Sequence, residues 1–198
     1  MKIMARPYKL KQRGEDRDRT RQRIVDATIE LHQSKGITAT SMADIADQAG
    51  VGRVTVYRHF PDAGALVGAC SGQYFVRHPL PDPELWRSIK DPAARLHRGL
   101  TDTYAFHRET EPMMASVLAE SRDQPIMVPY SDHWDRAADV LVAPWRARGR
   151  RKTSLRAGIA LALGFDTWRT LTHDHGLTDK QAVALMLRLA CDCPSQSA

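Results

Sequence analysis

Between Ser41 and Phe60 the apolar side chains recur at helical spacing. Met42, Ile45, Ala46 and Ala49 fall at i, i+3, i+4 and i+7, which makes one face apolar and small enough for a second helix to cross closely. Ser41, three residues ahead of Asp44, reads as a capping-box start, with a hydroxyl for the first free N–H groups and a carboxylate at the positive end of the helix dipole. Gly50 can take the left-handed conformation that ends this helix, and Val51 plugs the turn behind it. A second short helix starts after Gly52, with Val54 and Phe60 turned to the fold.

The helical period continues on both sides. A first helix is predicted from about 17 to 34, with Ile24, Ala27 and Leu31 on its core face and Gly36 closing it. Residues 1–16 are polar and basic without periodicity and read as a mobile arm. A fourth helix is predicted from about 63 to 77, carrying Leu66, Val67, Cys70 and Tyr74; Pro79, Pro81 and Pro83 then break the pattern and Pro92 restarts it. Further helices are predicted at about 92–108, 110–121, 131–147, 152–174 and 178–191. No segment alternates with period two for long, so the chain reads as all-α with about nine helices. The last two, with Leu155, Ile159, Leu163 and Leu171 on one and Val183, Leu185, Met186, Leu187 and Leu189 on the other, carry more apolar surface than one partner covers. That surplus predicts a second copy of the chain.

Composition narrows the class. With 198 residues, 42% of them hydrophobic and 26% charged, the chain is long enough to bury a core of one or two domains. It has no run of 18 apolar residues and no apolar stretch near its start, so no membrane partner and a cytoplasmic location are expected. The net charge of +6 is uneven, because twelve bases against seven acids in residues 1–60 hold +5 of it. Positive charge gathered around two short helices joined by a tight glycine turn is the footprint of a helix-turn-helix on double-stranded DNA. The candidate reading residues are Gly52, Arg53, Thr55, Val56, Tyr57 and His59 on the second helix. Thr40 and Ser41 would anchor a phosphate at the start of the first, with Arg19 or Arg21 extending the electrostatic grip.

The stretch Arg23-Ile24-Val25-Asp26-Ala27 through Gly36, then Thr40 to Ala46, Ala49-Gly50-Val51, Thr55, Tyr57-Arg58-His59-Phe60, Pro61 and Leu66 resembles the N-terminal domain of the TetR family of bacterial transcriptional regulators. The resemblance covers about residues 17–70, and the Tyr-Arg-His-Phe run at this distance after Ala-Gly-Val is its most specific part. There are two departures. Gly52 stands where the family often has Ser, and Ala63-Gly64 where it tends to have Lys-Glu, so Asp62 is left to cap the fourth helix. The resemblance implies a DNA-binding domain at 17–62, a helical effector-binding and dimerisation domain at 63–198, and pairing through the last two helices as a four-helix interface. Two readers spaced by one DNA turn, roughly 34 Å, need such a dimer.

Chemistry beyond DNA contact is sparse. No phosphate-cradling glycine loop, Gly-x-Ser-x-Gly elbow or His-Glu-x-x-His is present, so no catalytic residue, no cofactor and no enzymatic activity are expected. His173-Asp174-His175 with Cys191 and Cys193 is the best metal candidate, but its spacing matches no zinc pattern and no metal is expected. Tyr104, His107, Met114, Trp134, Phe165 and Trp168 are the materials of an apolar cavity with a few polar anchors, and the resemblance implies a small-molecule effector there. The expected function is a homodimeric regulator, a repressor that leaves a palindromic operator when the effector binds. The alternatives are an effector-independent architectural DNA binder and a helical enzyme carrying an incidental helix-turn-helix.

Overall fold

The computed structural model describes residues 5–191, and these are helices and connecting turns without a strand. By their contacts they divide into two compact units, one of residues up to Pro79 with Pro112–Arg122, the other of Leu80–Glu111 with the residues from Asp123 on.

In the first unit α1 (Ala5–Lys35) packs on α2 (Met42–Ala49) and α4 (Ala63–Arg77), and α2 packs on α3 (Arg53–His59). The core is Ile24, Val25, Ala27 and Ile29 of α1, Ile45, Ala46 and Ala49 of α2, Val56 and Phe60, Leu66, Cys70 and Tyr74 of α4, and Met113. α2 begins as its sequence dictates: the Ser41 hydroxyl accepts from the Asp44 N–H at 3.2 Å, and the Asp44 carboxylate accepts from the Ser41 N–H at 2.8 Å. Lys35 closes on the same carboxylate at 2.8 Å, and with Ser41 it holds Asp44 well below the ordinary carboxylate range. Gly50 ends α2 at φ 61°, and Arg23 of α1 reaches over to donate to the Ala49 and Gly50 carbonyls, which satisfies two acceptors that the helix end leaves open. Asp26 accepts from Gln73 at 3.0 Å and from Arg77 at 2.6 Å, tying α1 to α4.

The arm expected over residues 1–16 is helical from Ala5 onward, and residues 1–4 lie outside the described residues. Pro7 falls in the first turn, where its missing N–H costs nothing, and the Lys, Gln, Arg and Glu residues that follow are strong helix formers. Their side chains from Lys11 to Arg19 are exposed, and the Lys11–Glu15 and Arg19–Asp16 pairs along the helix supply what support they have.

In the second unit α6 (Val128–Val142) packs on α7 (Gly149–Leu163) and on a 3-10 turn at Pro83–Ser88, and α7 packs on α9 (Asp179–Cys191). α5 spans Pro92–Ser121, so the two helices predicted at 92–108 and 110–121 are one: Glu109-Thr110-Glu111 contains no stop signal, and Pro112 is carried inside the helix. Gly99 lets α5 and α6 approach, since a Cβ there would lie 2.7 Å from Leu141 Cδ2. The buried Arg95 donates to the carbonyls of Ile89, Val140 and Arg87 at 2.7, 3.0 and 3.0 Å, spending its whole fork on backbone. The helix predicted at 152–174 is interrupted at Gly164, whose extended ψ of 137° ends α7. α8 (Phe165–Arg169) follows and widens into a π-helical turn over Thr170–Asp174.

Candidate functional site

α3 presents two faces. Val56 and Phe60, four residues apart, are sealed in the core at 0% and 1% exposure, while Val54 is 82% and Tyr57 51% exposed. Arg53 and Arg58 are also exposed, and Thr55 and His59 are half-buried at the border. Two sequence expectations are thereby corrected: Val56 is a core residue and not a DNA contact, and Val54 faces outward and not the fold. The signal was in the spacing, because Val56 has apolar Phe60 one turn on whereas Val54 has Arg58. Arg58 lies on the same exposed face, although the sequence reading left it out.

The basic residues of α1 extend this face. Arg13, Arg17 and Arg21 stand four apart on one side of the helix, and none of them joins an ion pair among the described residues. The Arg21 guanidinium lies 4.8 Å over the Phe60 ring, next to the end of α3. His59 is held below its usual value by partial burial and then by the charges of Arg58, Arg17 and Arg21, with Asp18 opposing. Arg19, by contrast, is engaged by Asp16 of its own helix.

At the start of α2 the expected anchors are occupied locally. The Thr40 hydroxyl donates to the Gly36 carbonyl at 2.6 Å and the Ser41 hydroxyl to Asp44 at 2.6 Å. What remains for an anion is the N-terminal backbone of α2. Gly52 caps α3 in extended conformation without a side-chain bond, and nothing lies within 4 Å of where a Cβ would stand.

In the second unit four of the candidate pocket residues surround a fifth, His107. Its ring is fully buried, with ring centroids of Trp134, Phe165, Trp168 and Tyr104 at 5.3, 5.5, 5.8 and 6.3 Å. Tyr104 donates to the Ala162 carbonyl at 3.0 Å, and His107 Nε2 lies 2.9 Å from the Leu163 carbonyl, so α5 caps the end of α7 just where Gly164 breaks it. Trp168 Nε1 donates to Asp179 at 3.0 Å. Burial pushes His107 down to about 4 and moves the Tyr104 hydroxyl upward. Met114 is buried but lies in the part of α5 that belongs to the first unit.

His173, weighed as a metal ligand, turns its Nε2 to Glu111 at 3.0 Å. Cys193 and the Cys191 side chain lie outside the described residues, among which no group of three His, Cys, Asp or Glu is placed to hold a metal. No helix of the described residues is long and apolar enough to cross a membrane.

Comparison with known proteins agrees with the geometry of the head. The family profile of bacterial regulatory proteins of the tetR family matches residues 24–70. The chain is similar to the HTH-type transcriptional regulator AcrR of Shigella flexneri, 43% identical over 47 residues, which is 24% of this chain and 22% of that protein. The matched stretch is under a third of the length of the curated relatives. In fold the chain resembles a TetR-like transcriptional regulator from Rhodococcus sp. RHA1, with a TM-score of 0.60 and 15% identity over 90% of this chain and 97% of that one. It also resembles NalD of Pseudomonas aeruginosa, the secondary repressor of the MexAB-OprM multidrug efflux pump, with a TM-score of 0.54 and 20% identity over 90% and 96% of the two chains. With the capped helix pair, the Tyr-Arg-His-Phe run and the all-helical fold in place, residues 24–70 match the tetR family of bacterial regulatory proteins, and over 90% of its length the chain shares the fold of a TetR-like regulator.

Proposed function

We propose that the chain is a DNA-binding transcriptional regulator, a non-enzymatic cytoplasmic repressor that binds a palindromic operator as a homodimer and releases it when a small molecule binds. The observation that carries this reading is the outward face of α3, where Arg53, Val54, Tyr57 and Arg58 project from a helix whose opposite side is sealed by Val56 and Phe60. A helix so presented enters the major groove, with Arg53 and Tyr57 at base edges or phosphates, Thr55 and His59 at the rim, and Val54 against a thymine methyl group. Arg21 with Arg17 grips the neighbouring phosphates, and the N-terminal backbone of α2 takes another.

Pairing is assigned to α7 and α9, which pack together and leave Leu161 66% and Leu189 60% exposed. The effector is assigned to the aromatic surroundings of His107. Release follows when the effector favours an arrangement in which the two readers no longer match one turn of DNA.

The test is nuclease protection of the DNA upstream of the chain's own gene, with and without candidate small molecules. Two protected half-sites related by two-fold symmetry, lost on adding an effector and absent with Arg53→Ala, are expected. Failure to bind any duplex in dilute buffer, or a monomer at micromolar concentration, overturns the reading. Equal binding to every duplex regardless of small molecules would make the protein an architectural binder instead.

A further inference from the structure

His107 leaves one half of its chemistry unused. The Leu163 carbonyl can only accept, so at 2.9 Å it fixes the proton on Nε2, and Nδ1 is left as a bare acceptor with no hydrogen-bond partner. Trp134, with its ring centroid 5.3 Å away, has a buried Nε1–H that likewise lacks a partner. Thr103, one turn earlier on α5, buries a hydroxyl without one. A buried acceptor and a buried donor on neighbouring rings are each costly while unsatisfied, and native proteins keep few such groups.

Resting on the effector reading above, we propose that His107 and Trp134 form the polar anchor for a neutral, hydroxyl-bearing aromatic effector. A hydroxyl is the smallest group that donates to Nδ1 and accepts from Nε1–H at once. A carboxylate accepts but cannot donate. An ammonium donates but cannot accept. The walls are flat, with Phe106 6.0 Å from Trp134, and Phe165 and Trp168 beside the imidazole, so an aromatic ring stacks where a flexible chain does not. Trp134 is the only one of these rings that is half-buried, which puts the approach on its side.

The test uses the full chain without DNA and a matched set of probes at neutral pH: 4-ethylphenol, 4-ethylanisole, 4-ethylbenzoate and 4-ethylbenzylamine, the last as its ammonium ion. Calorimetric titration is expected to show 4-ethylphenol binding about tenfold more tightly than any of the others. The Trp134 indole N–H resonance, assigned by its absence in Trp134→Phe, should shift only with the phenol. Trp134→Phe, which keeps the ring and removes the donor, should lower phenol affinity to the anisole level, and Thr103→Val should leave the ranking intact. The proposal is overturned if no probe binds, if the benzoate or the benzylammonium binds best, if the indole resonance stays still, or if Trp134→Phe keeps the preference; a water molecule then fills the pair's needs. Such a failure leaves the regulator reading standing, whereas a phenol that binds as described and leaves operator affinity unchanged refutes effector control and leaves the site.

Discussion

The two valines of α3 offer a direct test of which side of that helix reads DNA. Val56→Ala removes two methyl groups from a site with no exposure, packed in the core that holds Ile45, Ala49 and Phe60. Lost transfer energy plus the remaining cavity comes to about 2–3 kcal/mol. Val54→Ala removes the same atoms from a side chain 82% exposed, where alanine's better helix propensity gives a neutral or slightly positive change of up to about 0.6 kcal/mol. The assay must see the right unit. Trp86, Trp134, Trp145 and Trp168 all lie in the second unit, so tryptophan fluorescence is blind to the head. Native-state hydrogen exchange at the Ile24 and Val25 amides reads it instead. Val56→Ala should cut their protection about 30- to 150-fold, by the tenfold-per-1.4 kcal/mol conversion, and Val54→Ala should leave it unchanged. Operator affinity of the folded molecules should show the opposite order, falling with Val54→Ala and holding with Val56→Ala. If Val54→Ala loses as much protection as Val56→Ala, α3 is rotated from the orientation described and the reading face is wrong.

Other substitutions probe the remaining junctions. Gly52→Ser places a hydroxyl at an extended N-cap with free space around it, and should stabilise the head by about 0.5–1 kcal/mol, seen as increased α3 amide protection. Gly99→Ala forces a methyl group to within 2.7 Å of Leu141 and should cost about 1–3 kcal/mol, read by tryptophan fluorescence on urea unfolding. Acid should weaken the second unit through His107: an unfolded histidine takes its proton near pH 6.5, the folded one only at about 4, so the unfolded state binds more protons and stability falls as pH drops through that window. The full effect is about 3 kcal/mol, and His107→Gln, whose amide can still donate to Leu163, should flatten that part of the fluorescence-monitored profile while His133 keeps its own.

The head was legible because its signals are local. A capping serine, a left-handed glycine and an i, i+4 apolar ladder act within one or two turns, and α2 begins and ends where those residues put it, as α4 begins after its Asp62 cap. What was misread needed either neighbours distant in the chain or a longer view of the pattern. Val54 and Val56 are the same residue type two positions apart, and only their partners at i+4 tell them apart. The start of α1 was hidden because Ala5, Tyr8 and Leu10 are too few apolar residues to set a helical period among the charges, and α5 was cut in two at Glu109 although no residue there stops a helix. In the C-terminal half the candidate pocket residues were chosen by type. That Tyr104 and His107 also cap α7 follows from a contact more than 50 positions away, which no spacing rule reaches.

Many of the head's cations are already spent inside it. Arg23 serves the Ala49 and Gly50 carbonyls, Lys35 serves Asp44, Arg77 serves Asp26, and Arg19 and Lys11 serve acids on α1. Among the described side chains of α1 and α3, Arg13, Arg17, Arg21, Arg53 and Arg58 remain to displace condensed ions from a duplex. At about 0.9 ion per phosphate neutralised, these five account for a log–log ionic-strength slope of about 4.5 per copy of the chain when each meets a phosphate. Ions held in pairs within the fold add to that hold only by giving up their partners.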